Sequence, residues 1–186
     1  MGSLSFKTNQ DYYCLGLWLA DNYWRSGSVG LSSTNPILLE RFRQFLRKVC
    51  PTRPIKEYVY YPEEGKKRKL ISRNIFVNCR PLTREFMEYK HIKELLIPLR
   101  YLPVYFAGRI DGDGHVDRKY RTGIRIVYSD REDASRDLRL LKKLNNNPAS
   151  LYFYKAANTW VLYFRKEFLR KIQPKIAKFA LKLRNL

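Results

Sequence analysis

An internal repeat constrains this chain more than any other feature. LGLWLADNY at 15–23 aligns with AGRIDGDGH at 107–115, so that Gly16 and Gly108, Ala20 and Gly112, and Asp21 and Asp113 each lie 92 residues apart. The residues after each copy match as well: a turn-rich stretch, a strand pattern (28–33 and 122–128), then Thr34-Asn35-Pro36 or Ser129-Asp130 opening a helix with apolar residues at helical spacing. Two further strand patterns form a hairpin in each half, 54–61 with 69–79 and 150–155 with 159–165. A closing helix is expected over 84–96 and again over 168–183. A repeat of this length is one structural unit made twice. We therefore expect an α+β fold, a tandem pseudo-twofold repeat of αββαββα half-domains, each with its own antiparallel sheet. The half-domains are expected at 1–96 and 104–186, with the proline-bearing segment 97–103 as linker.

The repeated residues suggest what the doubled helix does. Gly16 and Ala20 lie four residues apart, as do Gly108 and Gly112, so each pair shares one helix face. Glycine inside a soluble helix costs roughly 1 kcal/mol relative to alanine, and close approach of two helix backbones is a reason to accept it. Gly16, Ala20, Gly108 and Gly112 are thus the expected helix interface. Asp21 and Asp113 then stand at helix C-termini, where the dipole already disfavours negative charge. Bringing two such carboxylates together is unfavourable unless divalent cations sit between them, and hard oxygen ligands suit magnesium. Two carboxylates, a cation, a phosphate and a water make up metal-assisted phosphodiester hydrolysis.

Charge points to the same substrate. The chain has 37 Lys+Arg against 17 Asp+Glu, a formal net charge of +20 over 186 residues. Basic residues recur through strands and loops among 14 Tyr and 10 Phe rather than along one amphipathic helix, which favours nucleic acid over a membrane surface. No apolar run is long enough to span a bilayer and the start matches no secretory pattern, so an intracellular setting, in cytoplasm, nucleoid or organelle matrix, is expected. Three scattered cysteines without CxxC spacing fit a reducing compartment and argue against a zinc or disulfide framework.

FAGRIDGDG at 106–114 resembles the signature of the LAGLIDADG homing endonucleases, and LGLWLADNY resembles its more degenerate first copy. Two motifs in one chain resemble the single-chain, monomeric members. The resemblance implies that the motif helices form the domain interface and that Asp21 and Asp113 are catalytic. They would bind divalent metal (Mg2+, or Mn2+ or Ca2+ in its place) with the carbonyls of Ala20 and Gly112. It further implies two curved sheets forming a saddle along the major groove of double-stranded DNA, with both strands cut across the minor groove to leave short 3′ overhangs. Asp111 matches a signature position without a catalytic role, and a helix-end role is expected for it. Trp18 and Arg109 depart from the signature and would face away from the partner helix. The family's accessory positions fall on Ser33 and Tyr128 at the ends of the second strands, and on Asn78 and Arg165 late in the fourth.

Strand alternation selects candidate DNA contacts. Ile124, Ile126, Tyr128, Ile55, Val59, Leu151 and Phe153 are expected to pack inward. Trp24, Ser26, Ser28, Lys56, Tyr58, Tyr60, Arg125, Tyr152 and Tyr154 are expected outward. Lys69 in the turn 63–69, and Lys119 and Arg121 in the loop 119–123, are expected on phosphates. The function expected is site-specific double-strand DNA cleavage. The alternative in the same fold is a non-cleaving DNA-binding regulator or an intron maturase with RNA as a partner.

Overall fold

The computed structural model describes residues 6–61, 71–117 and 123–183. Helix α1 (Asn9–Asp21) runs directly into strand β1 (Asn22–Arg25), which turns into β2 (Ser28–Ser33). Helix α2 (Pro36–Val49), strands β3 (Lys56–Tyr60) and β4 (Ser72–Asn78) and helix α3 (Arg80–His91) come next. The series then repeats as α4 (Leu102–Asp113), β5 (Gly114–Val116), β6 (Ile124–Tyr128), α5 (Arg131–Lys142), β7 (Ala149–Tyr154), β8 (Thr159–Phe164) and α6 (Lys166–Ala177). Single 3-10 turns occupy Leu99–Tyr101, Lys155–Ala157 and Leu181–Leu183. The two sheets are antiparallel, with strand orders β1-β2-β4-β3 and β5-β6-β8-β7, so the repeat extends to topology.

Local chemistry explains the helix starts. The Asn35 side chain accepts the Ile37 amide at 2.9 Å with Pro36 at the first helical position. Asp130 accepts the amides of Glu132 and Asp133 at 3.1 and 3.2 Å. Each satisfies donors that a helix leaves open at its N-terminus.

Packing groups the residues differently from chain order. One compact unit contains Asp21–Tyr89, and the other joins Thr8–Ala20 to the residues from Lys90 onward. Helix α1 thus belongs to the core of the second unit rather than to the half-domain that its position in 1–96 suggests. The first unit builds its core from Val29, Leu31, Ile75 and Val77 of the sheet and an aromatic cluster of Phe6, Phe42, Phe45 and Phe86. In the second, Ile124, Ile126, Leu162 and Phe164 are buried with helix α4, whose residues 102–111 are all inaccessible to solvent or nearly so.

Three expectations shift. The closing helix expected at 168–183 ends at Ala177, with a separate 3-10 turn at Leu181–Leu183. The closing helix expected at 84–96 occupies Arg80–His91 instead. At its last turn and just beyond, backbone carbonyls are claimed by side chains, Arg136 on those of Lys90 and Ile92 and Arg139 on that of Lys93. The expected linker 97–103 is shorter, because a 3-10 turn at Leu99–Tyr101 leads into α4 at Leu102. No helix among the described residues is long and apolar enough to cross a membrane.

Candidate active site and nucleic-acid interface

Helices α1 and α4 meet backbone to backbone at their first repeated glycines. A Cβ at Gly16 would lie 2.1 Å from the Tyr105 carbonyl oxygen, and one at Gly108 would lie 2.1 Å from that of Tyr13. Tyr13 and Tyr105 are themselves one repeat apart in the chain, so the contact is reciprocal. The obstructing atoms are backbone, and no rotamer change relieves them. From its glycine each helix runs five residues further to end in an aspartate, Asp21 or Asp113, and both aspartates are half-buried.

The two other unusual signature residues are buried as well. Trp18 is fully buried, and Arg109, 1% exposed, donates from Nε to Asp137 of α5 at 2.9 Å. Asp137 also accepts the hydroxyls of Tyr105 (2.7 Å) and Tyr128 (2.8 Å). Burial, reinforced by the Asp137 charge, pushes both phenols well above their ordinary range, so they remain donors. Burial, the largest single influence, would lower the Arg109 guanidinium, but Asp137 together with Tyr128, Tyr105 and Asp113 outweighs it and the net direction is up. Tyr128, one of the accessory positions, therefore serves the core.

Asp111 and Asp113 part company here. Asp111, 3% exposed, accepts the Tyr13 hydroxyl and the backbone amides of Leu181 and Lys182, at 2.8 and 2.9 Å for the amides. It docks the 3-10 turn Leu181–Leu183 against the end of α4. The Lys182 ammonium then donates to the carbonyls of Gly112 (2.7 Å) and Gly114 (2.8 Å). Gly114 caps α4, its amide donating to the Ile110 carbonyl, with extended (φ −76°) rather than left-handed backbone; a Cβ there would lie 2.4 Å from that carbonyl oxygen. Asn22, its counterpart after Asp21, likewise lacks the left-handed backbone that its asparagine would tolerate.

The donors at this helix end, the Asp113 carboxylate and the Gly112 carbonyl, are hard oxygens, and the carbonyl already draws an ammonium. That chemistry fits a magnesium-class cation. Among the described residues no three His, Cys, Asp or Glu side chains gather into a cage. A cation held here would complete its shell from water and substrate oxygens, as magnesium commonly does. Ala20, at the matching place in α1, is half-buried.

The remaining accessory positions have local partners. Ser33 Oγ accepts the Asn35 amide at 3.1 Å and so helps start α2. Asn78 Oδ1 accepts the Ser28 hydroxyl at 2.9 Å at the exposed end of β4. Arg165 is exposed just before α6, its amide donating to the Pro148 carbonyl.

Register separates the two faces of each sheet. In the first, the row Tyr23–Gly30–Phe76–Lys56 crosses the face opposite the core, flanked by Arg25–Ser28–Asn78 and by Ser32–Asn74–Tyr58. The rings of Tyr23 and Phe76, on either side of Gly30 in this row, meet with centroids 5.2 Å apart, and a Cβ on Gly30 would lie 2.0 Å from the Ile75 carbonyl oxygen. Lys56, Tyr58, Tyr60 and Ser28 take this face as expected, but Trp24 does not. Trp24 pairs with Val29, on the core-side parity, at the sheet edge. Ser26 is no strand residue at all; it sits in the two-residue turn Ser26-Gly27 with φ 42°. That turn exchanges parity between β1 and β2, so Tyr23 and Arg25 occupy the face assigned to Trp24. The Ser-Gly dipeptide is a hairpin signal that could have set this register.

In the second sheet the matching row is His115–Arg125–Tyr163–Ser150, with Val127–Val161–Tyr152 and Tyr154–Thr159 beyond it. Arg125, Tyr152 and Tyr154 stand here as alternation indicates. They are joined by Tyr163, whose place in the row depends on pairing with β6 rather than on its own strand's pattern. Phe153, expected to pack, is 41% exposed while leaning on Trp160. Lys69, Lys119 and Arg121 lie outside the described residues.

No protein-family model and no curated protein matches the sequence. Solved structures do match in three dimensions. A crystal structure of I-DmoI in complex with DNA and Ca shares TM-score 0.69 at 16% identity, covering 95% of this chain and 96% of that one. The N-terminal LAGLIDADG domain of DUF199/WhiA gives TM-score 0.62 at 16% identity, over 94% and 84% of the two chains. The homing endonuclease I-WcaI bound to its DNA recognition sequence gives 0.61 at 13% identity, over 93% and 82%. The chain has the LAGLIDADG homing endonuclease fold.

Proposed function

We propose that this LAGLIDADG-fold chain is a site-specific DNA endonuclease, acting as a monomer, that hydrolyses both strands of a long duplex target and leaves short 3′ overhangs. The observation that carries this reading is the pair of helices fitted at Gly16 and Gly108, each ending five residues on in an aspartate. A helix end is a poor place for a carboxylate, and the pattern occurs in both halves. Asp21 and Asp113, with the carbonyls of Ala20 and Gly112, would hold the divalent cation, Mg2+ in the first instance. When bound, that cation supplies Lewis-acid activation of the scissile phosphodiester. The chain's own residues position the duplex. Lys56, Arg25 and Arg125 offer cationic contacts to phosphates or guanine edges, and Tyr58, Tyr60, Tyr152, Tyr154 and Tyr163 offer hydroxyls on the open faces. The net charge of +20 drives association by counterion release.

The test is cleavage of a randomised duplex library with Mg2+ or Mn2+, reading the cut ends by sequencing. Wild-type protein should give recurrent double-strand cuts, and Asp21→Asn and Asp113→Asn should each lose them by a factor of about 10³ or more while retaining duplex binding. Wild-type binding without cutting would instead support the non-cleaving regulator or RNA-maturase reading.

A further inference from the structure

Lys182 is the one cation that the described residues hold against the end of α4 by two hydrogen bonds to backbone oxygens, those of Gly112 and Gly114. Its placement is over-determined. Asp111 fixes the backbone of Leu181 and Lys182 through two amides and is itself buried and bonded to Tyr13. The ammonium therefore rests on a docked segment rather than on a swinging surface side chain. It is half-buried, and an open cleft lined by Gly114, His115, Val116, Asp117 and Lys182 lies beside it. We infer that Lys182 is a tethered cation that competes with the divalent metal for the Gly112 carbonyl and so weakens metal binding at Asp113. The inference rests on the endonuclease reading above, which makes Gly112 and Asp113 metal ligands. The physical reason is that one carbonyl oxygen accepting an ammonium proton is a poor ligand for a second, doubly charged ion. An ammonium and a divalent cation drawn to the same oxygen would repel each other, the more so where solvent is partly excluded. Release of the Lys182 side chain into the cleft would then accompany metal loading, and a substrate phosphate is the natural acceptor for the freed ammonium.

The experiment is a titration of the full chain with Mn2+, monitored by electron paramagnetic resonance of the free ion. Lys182→Met keeps the aliphatic stem and removes the charge; it should bind Mn2+ about tenfold more tightly than wild type. Lys182→Arg, which keeps the charge, should stay near wild type. Thermal melts of all variants check that the fold is retained. The double variant Lys182→Met with Asp113→Asn should lose the gain. If Lys182→Met binds no more tightly than wild type while Asp113→Asn binds less, the competition is refuted and the metal reading stands. If Asp113→Asn leaves Mn2+ binding unchanged in both backgrounds, both the inference and the metal reading fail. Absence of measurable binding in wild type and Lys182→Met alike also overturns the competition.

Discussion

Position for position, the two sheet-and-helix units use the same backbone with opposite core chemistry. Seven residues after the helix cap, the first unit has Phe42 and the second has Asp137, and both are fully buried. Phe42 joins an aromatic cluster whose rings meet at centroid distances from 5.5 to 6.3 Å. Asp137 instead anchors Arg109, Tyr105 and Tyr128. The matching positions are Leu17, Tyr13 and Ser33, so the network is confined to one copy of the repeat. Apolar packing tolerates loss gradually, because neighbours can partly collapse into a cavity. A buried ion pair with its hydrogen bonds fails abruptly when one partner goes, because the other is left charged and unsolvated. The fold therefore accepts either an aromatic side chain or an ion-paired carboxylate at this buried position.

The largest stability effect that sharpens this contrast is Asp137→Ala, expected to cost ~3–5 kcal/mol because Arg109 loses its counter-charge. Phe42→Ala should cost a similar ~3–5 kcal/mol. The two are told apart by a second substitution. Replacing Arg109 with Met and Asp137 with Leu together should recover much of the loss in urea unfolding, whereas no single partner change rescues Phe42→Ala. A double variant as unstable as the single would break the comparison.

The reciprocal glycines come next. Gly108→Ala should destabilise by ~3 kcal/mol, or about 6–12 °C in melting temperature for a chain of this size. Gly16→Ala should cost less, roughly 2 kcal/mol, because the next closest atom to its Cβ is at 3.1 Å, against 2.7 Å at Gly108. Equal melting temperatures for both variants and wild type would contradict the close approach.

On the open faces the comparison is Gly30 against Arg125, which occupy the same place in the two rows. Arg125→Ala should weaken duplex binding by ~1–3 kcal/mol and flatten its salt dependence, whereas Gly30→Ala acts through the fold; a binding isotherm across salt concentrations distinguishes them. Smallest is Tyr128→Phe, about 1 kcal/mol, measured by chemical denaturation, since Asp137 keeps its bonds to Arg109 and Tyr105.

Much of the architecture is legible in the sequence because it is written in periodicity and repetition. The Asn35 and Asp130 caps and the alternating strands depend on neighbours in sequence, and the constant offset between the two motifs shows that the same unit is built twice, which together place the helices, the strands and the glycine-bearing helix pair. The parts that are not legible depend on partners distant in the chain. The end of α3 is decided by Arg136 and Arg139, which claim backbone carbonyls from α5. The side taken by Trp24 is decided by a two-residue turn, where an error of one position moves every side chain to the other face. Arg109 is an unexplained cation inside the motif until Asp137 is seen beside it.

The same division holds at the candidate site. Sequence alone determined that two aspartates end two equivalent glycine-bearing helices, because the spacing within each copy is local and the repeat shows it twice. Only the tertiary structure decided that Asp111 serves as a docking point and that Lys182, 70 residues further along the chain from Gly112, presents its ammonium to that glycine's carbonyl. No periodicity or propensity links residues so far apart; packing alone brings them within hydrogen-bonding distance.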